Sequence, residues 1–319
     1  MKYTSLLTLL YAGTTSFCSL KYSIFNYIVK ILSTRSKSAG NYLYKISSSE
    51  TLRNEITICN ETVKKISIHT PKHLKPINDD KIGHYLAGLI DGDGHFSSKQ
   101  QLVIAFNYSD IKLAYYIKKK IGYGNVSKVK NKNAVLFIIA NEKGLQKVIN
   151  LINGKFRTYS KYDQLTNNIM NNKKFTEFNK TTSLNLNISN DLDNYWLAGF
   201  SDADASFQIK MLQRKHRTEI RLNYQIDQKK DYILLLIKGF LGGNIGYRKS
   251  QDTYYYGSTS FGSAKNIINY FDRYNMLSTK HVDYLKWRKA YVLIQDKSHL
   301  SEQGLNKIKK LKVTMNRLS

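Results

Sequence analysis

The sequence predicts an α+β fold built from two pseudo-symmetric repeats, each ordered αββαββα. Three observations carry this. Residues 84–96 read HYLAGLIDGDGHF and residues 195–207 read YWLAGFSDADASF, with six of thirteen positions identical and Asp93 and Asp204 in matching places 111 positions apart. The match continues at a shifted spacing: Gly124-Asn125-Val126 pairs with Gly243-Asn244-Ile245, and Val148-Ile149-Asn150 with Ile267-Ile268-Asn269, both 119 apart. Within each copy, hydrophobic periodicity switches between helical and alternating. A repeat with an acid in each copy predicts one site assembled across a pseudo-twofold axis.

Taken in order, the first 49 residues contain no Asp or Glu. Their apolar runs, Leu6–Tyr11 and Ile24–Leu32, fall short of the roughly 18 residues that a membrane span needs. This stretch reads as a mitochondrial transit segment or an unstructured leader, and least well as a secretory signal. The two prolines of the chain, Pro71 and Pro76, mark a linker just before the first motif. The expected divisions are therefore a weakly structured leader and linker over 1–76, repeat one over 77–170, an Asn-rich linker over 171–194, and repeat two over 195–319.

His84–Gly92 and Tyr195–Ala203 are expected helices. After the second motif, Phe207, Ile209 and Met211 alternate with Gln208 and Lys210; Ile220, Leu222, Tyr224 and Ile226 then alternate with Arg221, Asn223 and Gln225. Period two predicts strands with one buried and one basic, amide-rich face. Asp110–Ile121 and Asp231–Leu241 are expected helices, each stopped by a Gly. Tyr123–Lys130 and Ala134–Ala140 form a second hairpin, and Glu142–Asn153 a closing helix. The growth in spacing from 111 to 119 is assigned to Leu212–Thr218, as a longer hairpin in repeat two.

The formal net charge is +27, from 50 Lys+Arg against 23 Asp+Glu. That excess points to a polyanion, nucleic acid first and an anionic membrane surface second. Two cysteines and seven scattered histidines give no zinc or disulfide pattern, so any metal is expected on oxygen ligands.

Gly inside a helix costs about 1 kcal/mol relative to Ala. Ala87-Gly88 and Ala198-Gly199 offset that cost if a second helix approaches closely. Packing the two motif helices together sets Asp93 beside Asp204. Adjacent carboxylates repel unless a cation lies between them, and Mg²⁺, a hard oxygen-seeking ion that bridges to phosphate, is the expected one. A single Asp-Gly-Asp-Gly is most simply a turn; two copies, each between a Leu-Ala-Gly helix and a strand, make a site. Asp91 and Asp202 are expected as local hydrogen-bonding groups at the helix ends.

LAGLIDGDG and LAGFSDADA resemble the signature of the LAGLIDADG homing endonucleases in their two-motif, single-chain form. The resemblance runs from about residue 80 to the C-terminus, and the leader is similar to that of fungal mitochondrial intron-encoded members. It implies antiparallel sheets forming a DNA-binding saddle, and a monomer acting on double-stranded DNA. It implies hydrolysis of one phosphodiester per strand across the minor groove, with intron mobility as the outcome. Position by position, it implies that Asp93 and Asp204 bind the divalent ions, assisted by the carbonyls of Gly92 and Ala203. Asp110 and Gln228 would order water, and Lys161 and Lys280 would complete the site. DNA-facing residues would be Gln208, Lys210, Arg217, Arg221, Asn223 and Gln225 in repeat two and Lys128, Lys130 and Lys132 in repeat one, with Arg221 the foremost base contact. Two departures stand out: Asp110 is acidic where an amide is frequent, and Ala205 replaces a usual Gly, removing backbone freedom. The alternative is an RNA maturase that binds its own group I intron; the retained acids favour the nuclease. No membrane partner is expected.

Overall fold

The computed structural model describes residues 65–215 and 218–315; the leader over 1–64 and the candidate Arg217 lie outside the described residues. Repeat one comprises α1 (Asp79–Asp93), β1 (Gly94–Ser97), β2 (Gln101–Asn107), α2 (Ile111–Ile121), β3 (Asn125–Lys128), β4 (Ala134–Ile139) and α3 (Glu142–Ile152), followed by α4 (Tyr159–Leu165) and α5 (Thr176–Thr181). Repeat two comprises α6 (Trp196–Asp204), β5 (Ala205–Gln213), β6 (Thr218–Gln228), α7 (Tyr232–Leu241), β7 (Asn244–Arg248), β8 (Thr253–Gly257) and α8 (Phe261–Arg273), followed by α9 (Lys280–Gln295) and α10 (Glu302–Thr314). The expected order is observed in both halves. Among the described residues no helix is long and apolar enough to cross a membrane.

Each half holds one antiparallel sheet, ordered β1-β2-β4-β3 and β5-β6-β8-β7. Phe96, Ile104 and Phe137 in the first sheet, and Phe207, Tyr224 and Tyr256 in the second, are buried beneath the helices. The opposite face of each sheet is left open. The second hairpin is the longer one: β5 and β6 run nine and eleven residues, against four and seven for β1 and β2. Helix α1 begins five residues earlier than expected. The Asn78 side chain accepts from Lys81 N, and Asp79 and Asp80 sit in the first turn, where they complement the helix dipole.

Helices α1 and α6 pack backbone against backbone. A Cβ placed on Gly88 would lie 1.9 Å from Trp196 O, and one on Gly199 would lie 2.0 Å from Tyr85 O. The two glycines therefore face each other's helix across the pseudo-twofold axis, and the expected close approach is realised. The Ala205 departure costs no backbone freedom, because Ala205 (φ −88°) and its counterpart Gly94 (φ −76°) are both ordinary extended residues. A Cβ on Gly94 would meet Ile90 Cγ2 at 2.5 Å and the Ile90 Cα at 2.6 Å, so repeat one has no room for a side chain there.

Two extended straps close the halves over one another. Residues 65–77, expected as a linker, have no regular secondary structure but are docked on repeat two. Ile66 is buried, and its N–H and carbonyl are both bonded to the Gln295 side chain (2.8 and 3.0 Å). His73 Nε2 donates to Met276 O (2.9 Å) and Leu74 N donates to Asn275 Oδ1. In the mirror arrangement, the stretch before α6 lies on repeat one. Gly154 N donates to Asn185 O (3.0 Å), Asn187 N to Phe156 O (2.7 Å), and the Arg157 guanidinium to the carbonyls of Ser189 and Asp191. Each strap therefore holds the loop that follows the last helix of the other repeat's αββαββα unit.

Replacing Gly88 by Ala should force the motif helices apart and cost about 3 kcal/mol or more in denaturant unfolding. Gly239→Ala, in α7 with nothing within 4 Å of the added carbon, should instead stabilise by about 0.5–1 kcal/mol. The strap carries its own pH signature. Burial, then the neighbouring His73, lowers His281 to about 4. Between pH 6.5 and 4 the unfolded chain takes up a proton that the folded one refuses, so this site's contribution to stability is present above that window and lost as pH falls through it. Thermal melts across the window should show a shallower slope for His281→Gln.

Candidate active site

Asp93 and Asp204 are the last residues of α1 and α6. Because those helices are in backbone contact, a Cβ on Gly92 would fall 2.3 Å from Ala203 Cβ and 3.2 Å from Asp204 Oδ2. The two carboxylates thus share one corner of the molecule, each at a helix C-terminus where the dipole repels negative charge. Burial and then the Asp93 charge raise Asp204 to about 6, against the pull of Gln228, Lys280 and Lys161. Burial also raises Asp93, against the pull of Lys280 and Lys161.

Both predicted lysines are tethered to backbone carbonyls at the ends of the motif helices. Lys280 opens α9 and donates to Ala203 O (2.6 Å) and Ser201 O (3.3 Å), while Lys161 in α4 donates to Gly94 O (2.6 Å). Burial lowers both ammonium groups, and Asp93 and Asp204 raise both. Their anchors are not equivalent: Gly94 corresponds to Ala205, two residues beyond Ala203, so the lysines approach the acids differently. The Ala203 carbonyl, implied as a metal ligand, is engaged by Lys280.

Asp91 and Asp202 are not local capping groups. Both are buried, and their partners come from distant segments. Asp91 accepts from Arg157 N (2.9 Å), Thr158 N (3.2 Å), the Thr158 hydroxyl and Trp196 Nε1 (2.8 Å). Asp202 accepts from Leu277 N (2.7 Å), Ser278 N (3.3 Å), the Ser278 hydroxyl and Tyr85 OH (2.6 Å). Each carboxylate therefore joins its own motif helix to the other one and to the loop carrying Lys161 or Lys280. Sequence reasoning missed Tyr85, Trp196, Thr158 and Ser278; the 111 spacing of Tyr85 and Trp196 was the signal present.

Gln228 ends β6 and donates to Asp204 Oδ2 (2.7 Å). Asp110 is placed differently. It lies in a short turn beyond β2, and its carboxylate accepts from Thr279 N (2.6 Å) and Thr279 Oγ1 (3.3 Å) of the other half. By strand register the counterpart of Gln228 is Phe106, since Gly94 pairs with Ile104 as Ala205 pairs with Ile226.

Gln208, Lys210, Arg221, Asn223 and Gln225 share the open face of the second sheet, with Gln208 opposite Asn223 and Lys210 opposite Arg221. Asn223 is buried among amides, donating to Gln225 Oε1 (3.2 Å) and Gln208 Oε1 (3.4 Å). Arg221 is exposed and paired with Glu219 (2.6 Å). The first sheet differs from expectation. Lys128 ends β3 and stacks on the Tyr108 ring (4.7 Å), and Lys130 and Lys132 lie in the following turn. These lysines rim the sheet rather than cover it.

The donor chemistry fits a divalent cation. Two hard carboxylates converge at the ends of the packed motif helices; burial raises both, and the Asp93 charge adds to the rise of Asp204. Among the described residues no three His, Cys, Asp or Glu side chains form a metal set, so further ligands would be carbonyl, water or substrate oxygens.

Fold and site together define a pseudo-dimeric single-chain protein with paired carboxylates at the point where its two sheets begin. The LAGLIDADG endonuclease family model matches residues 86–179 and 197–291, and the chain belongs to that family. It is 67% identical over 317 residues to an uncharacterized 37.2 kDa cox1 intron-2 protein of Schizosaccharomyces pombe, covering 96% of each. It is 32% identical over 273 residues to the intron-encoded DNA endonuclease aI3 of Saccharomyces cerevisiae (69% of this chain, 65% of that one). It is 29% identical over 225 residues to the intron-encoded RNA maturase bI4 of the same yeast (67% and 32%). Among solved structures, the DNA-bound I-LtrWI homing endonuclease superposes with a TM-score of 0.60 at 23% identity, covering 76% of this chain and 99% of that one. I-SmaMI bound to its uncleaved DNA target with calcium ions gives 0.54 at 20% identity (76% and 99%). These likenesses establish the fold. The chain stands among fungal mitochondrial intron-encoded endonucleases and maturases, and its location is mitochondrial.

Asp91→Asn keeps one acceptor oxygen and turns an amide N–H₂ toward buried donors; it should lose about 2 kcal/mol in denaturant unfolding. Divalent cation should raise the melting temperature of the wild-type chain and fail to do so for Asp204→Asn, read by calorimetry without any nucleic acid present.

Proposed function

We propose that the chain is a site-specific double-strand DNA endonuclease that hydrolyses one phosphodiester in each strand of a long asymmetric target, across the minor groove. The observation that carries this reading is the juxtaposition of Asp93 and Asp204 at one corner, flanked by Lys161 and Lys280, between two sheets whose open faces extend to either side. A monomer suffices, since one chain supplies both halves. Cutting an intronless allele would promote spread of the intron that encodes the protein.

In this reading Asp93 and Asp204 hold the divalent cation, with Mg²⁺ the proposed ion. When bound, such a cation lowers the pKa of an attacking water and offsets charge on the leaving oxygen. The remaining work falls to the chain. Gln228, bonded to Asp204 Oδ2, fixes that carboxylate's rotamer and offers its amide to water nearby. Lys161 and Lys280 place ammonium groups where negative charge gathers on the phosphate in the transition state. Their tethering to carbonyls at the ends of the motif helices pre-positions those charges. Asp110 acts by holding Thr279, the residue before Lys280, so its role is one of positioning.

Similarity to the RNA maturase bI4 supports a second reading, binding of a group I intron to assist splicing. A plasmid carrying the uninterrupted flanking sequence separates the two. The nuclease reading expects a double-strand cut that requires divalent cation. Asp93→Asn or Asp204→Asn should lower cleavage by at least about a hundredfold while leaving duplex binding in place. Gln228→Ala should cut less efficiently but still cleave. Absence of cleavage together with tight, intron-specific RNA binding would replace the nuclease by the maturase.

A further inference from the structure

The two open sheet faces are chemically unlike. In the second sheet, Ser206, Gln225 and Gly257 form one row across β5, β6 and β8, and Asp227 and Tyr255 the next. In the first sheet the corresponding rows are His95, Val103, Ile138 and Asn125, then Ala105, Leu136 and Ser127. Residues on the other face of these strands, among them Leu102, Ile104, Val135 and Phe137, are wholly buried. Strand alternation therefore puts Val103, Ala105, Leu136 and Ile138 on the open face. Ala105 is exposed and the other three keep part of their surface in solvent. Four adjoining aliphatic side chains thus stand where the second sheet has Gln225, Asp227, Tyr255 and Gly257.

An uncharged aliphatic centre on an open face has no hydrogen bond to offer a base edge. The apolar feature of duplex DNA in the major groove is the C5-methyl group of thymine, and aliphatic side chains are its natural contacts. The edge of the sheet suits the same partner. Lys128, Lys130 and Lys132 rim its far end, where they match phosphate charge, and Asn125, Asn107 and Gln101 border the patch. Resting on the endonuclease reading above, we propose that the first sheet recognises a thymine-rich half-site through Val103, Ala105, Leu136 and Ile138, while the second sheet reads its half-site through hydrogen bonds. The asymmetry of the target then follows from a difference in recognition chemistry as well as in sequence.

The test uses the full chain and duplexes selected by it from a randomised pool, in a cation that permits binding without cutting. In the best binder, thymines are replaced by deoxyuridine in one half-site at a time. That change removes the methyl and leaves every hydrogen-bonding group in place. The half-sites are assigned by Arg221→Ala, which should relax base preference only under the second sheet. The expected result is a loss of about three- to fourfold in affinity for each contacted methyl in the half-site away from Arg221, and less than about a twofold change in the other. Leu136→Gln should erase the methyl dependence. Equal or absent effects of deoxyuridine, or an effect confined to the half-site assigned to Arg221, would overturn this proposal and leave the endonuclease reading standing. Failure to select or cleave any duplex would overturn both.

Discussion

The contact between two helix backbones at Gly88 and Gly199 is the constraint on which the rest of the molecule depends. At that separation no side chain fits between α1 and α6, because even a methyl group on either glycine would overlap a carbonyl oxygen. The interface is therefore made by backbone, which cannot adjust by changing rotamer. Everything attached to the helix ends inherits that rigidity. Asp93 and Asp204 are side by side for this reason, and the two sheets begin directly after them, at Gly94 and Ala205.

This arrangement is electrostatically costly without a cation. Two helix C-termini and two carboxylates concentrate negative potential at one point; burial first and then the Asp93 charge raise Asp204. Lys161 and Lys280 offset part of it. Their placement depends on the buried acids Asp91 and Asp202, whose bonds reach the loops preceding the lysines and also the opposing motif helix. Structure and chemistry are thus linked through four Asp residues in two roles: the inner pair fastens the halves and aims the lysines, and the outer pair faces the reaction.

Pseudo-symmetry is kept in the fold and relaxed in the chemistry. The exchanged straps, the Asp91 and Asp202 clamps and the sheet order obey the twofold relation. The lysine tethers, the Gln228 and Asp110 positions, the Ile90–Gly94 and Ser201–Ala205 pairs and the open sheet faces depart from it. A single chain carrying two diverged copies is free to do this, since each half evolves its own side chains on a shared backbone plan.

The sequence by itself determined the architecture. Repeated LAG-x-x-D-x-D segments, period-two runs and glycine stops are local signals, and local signals survive in one dimension. The Ala-Gly pairs even foretold the helix contact, because a helical glycine needs a reason. Only the tertiary structure decided the partners of Asp91 and Asp202, which lie 66 to 117 residues away. It alone showed that residues 65–77 are docked rather than slack, since Ile66 and Gln295 are 229 positions apart. It alone moved Asp110 out of register with Gln228: strand pairing sets Ile104 level with Ile226, so Gln228 matches Phe106 and Asp110 lies beyond the end of β2. Periodicity says which residues share a face; which faces meet, and what lies across from each acid, is fixed by long-range packing that spacing along the chain does not encode.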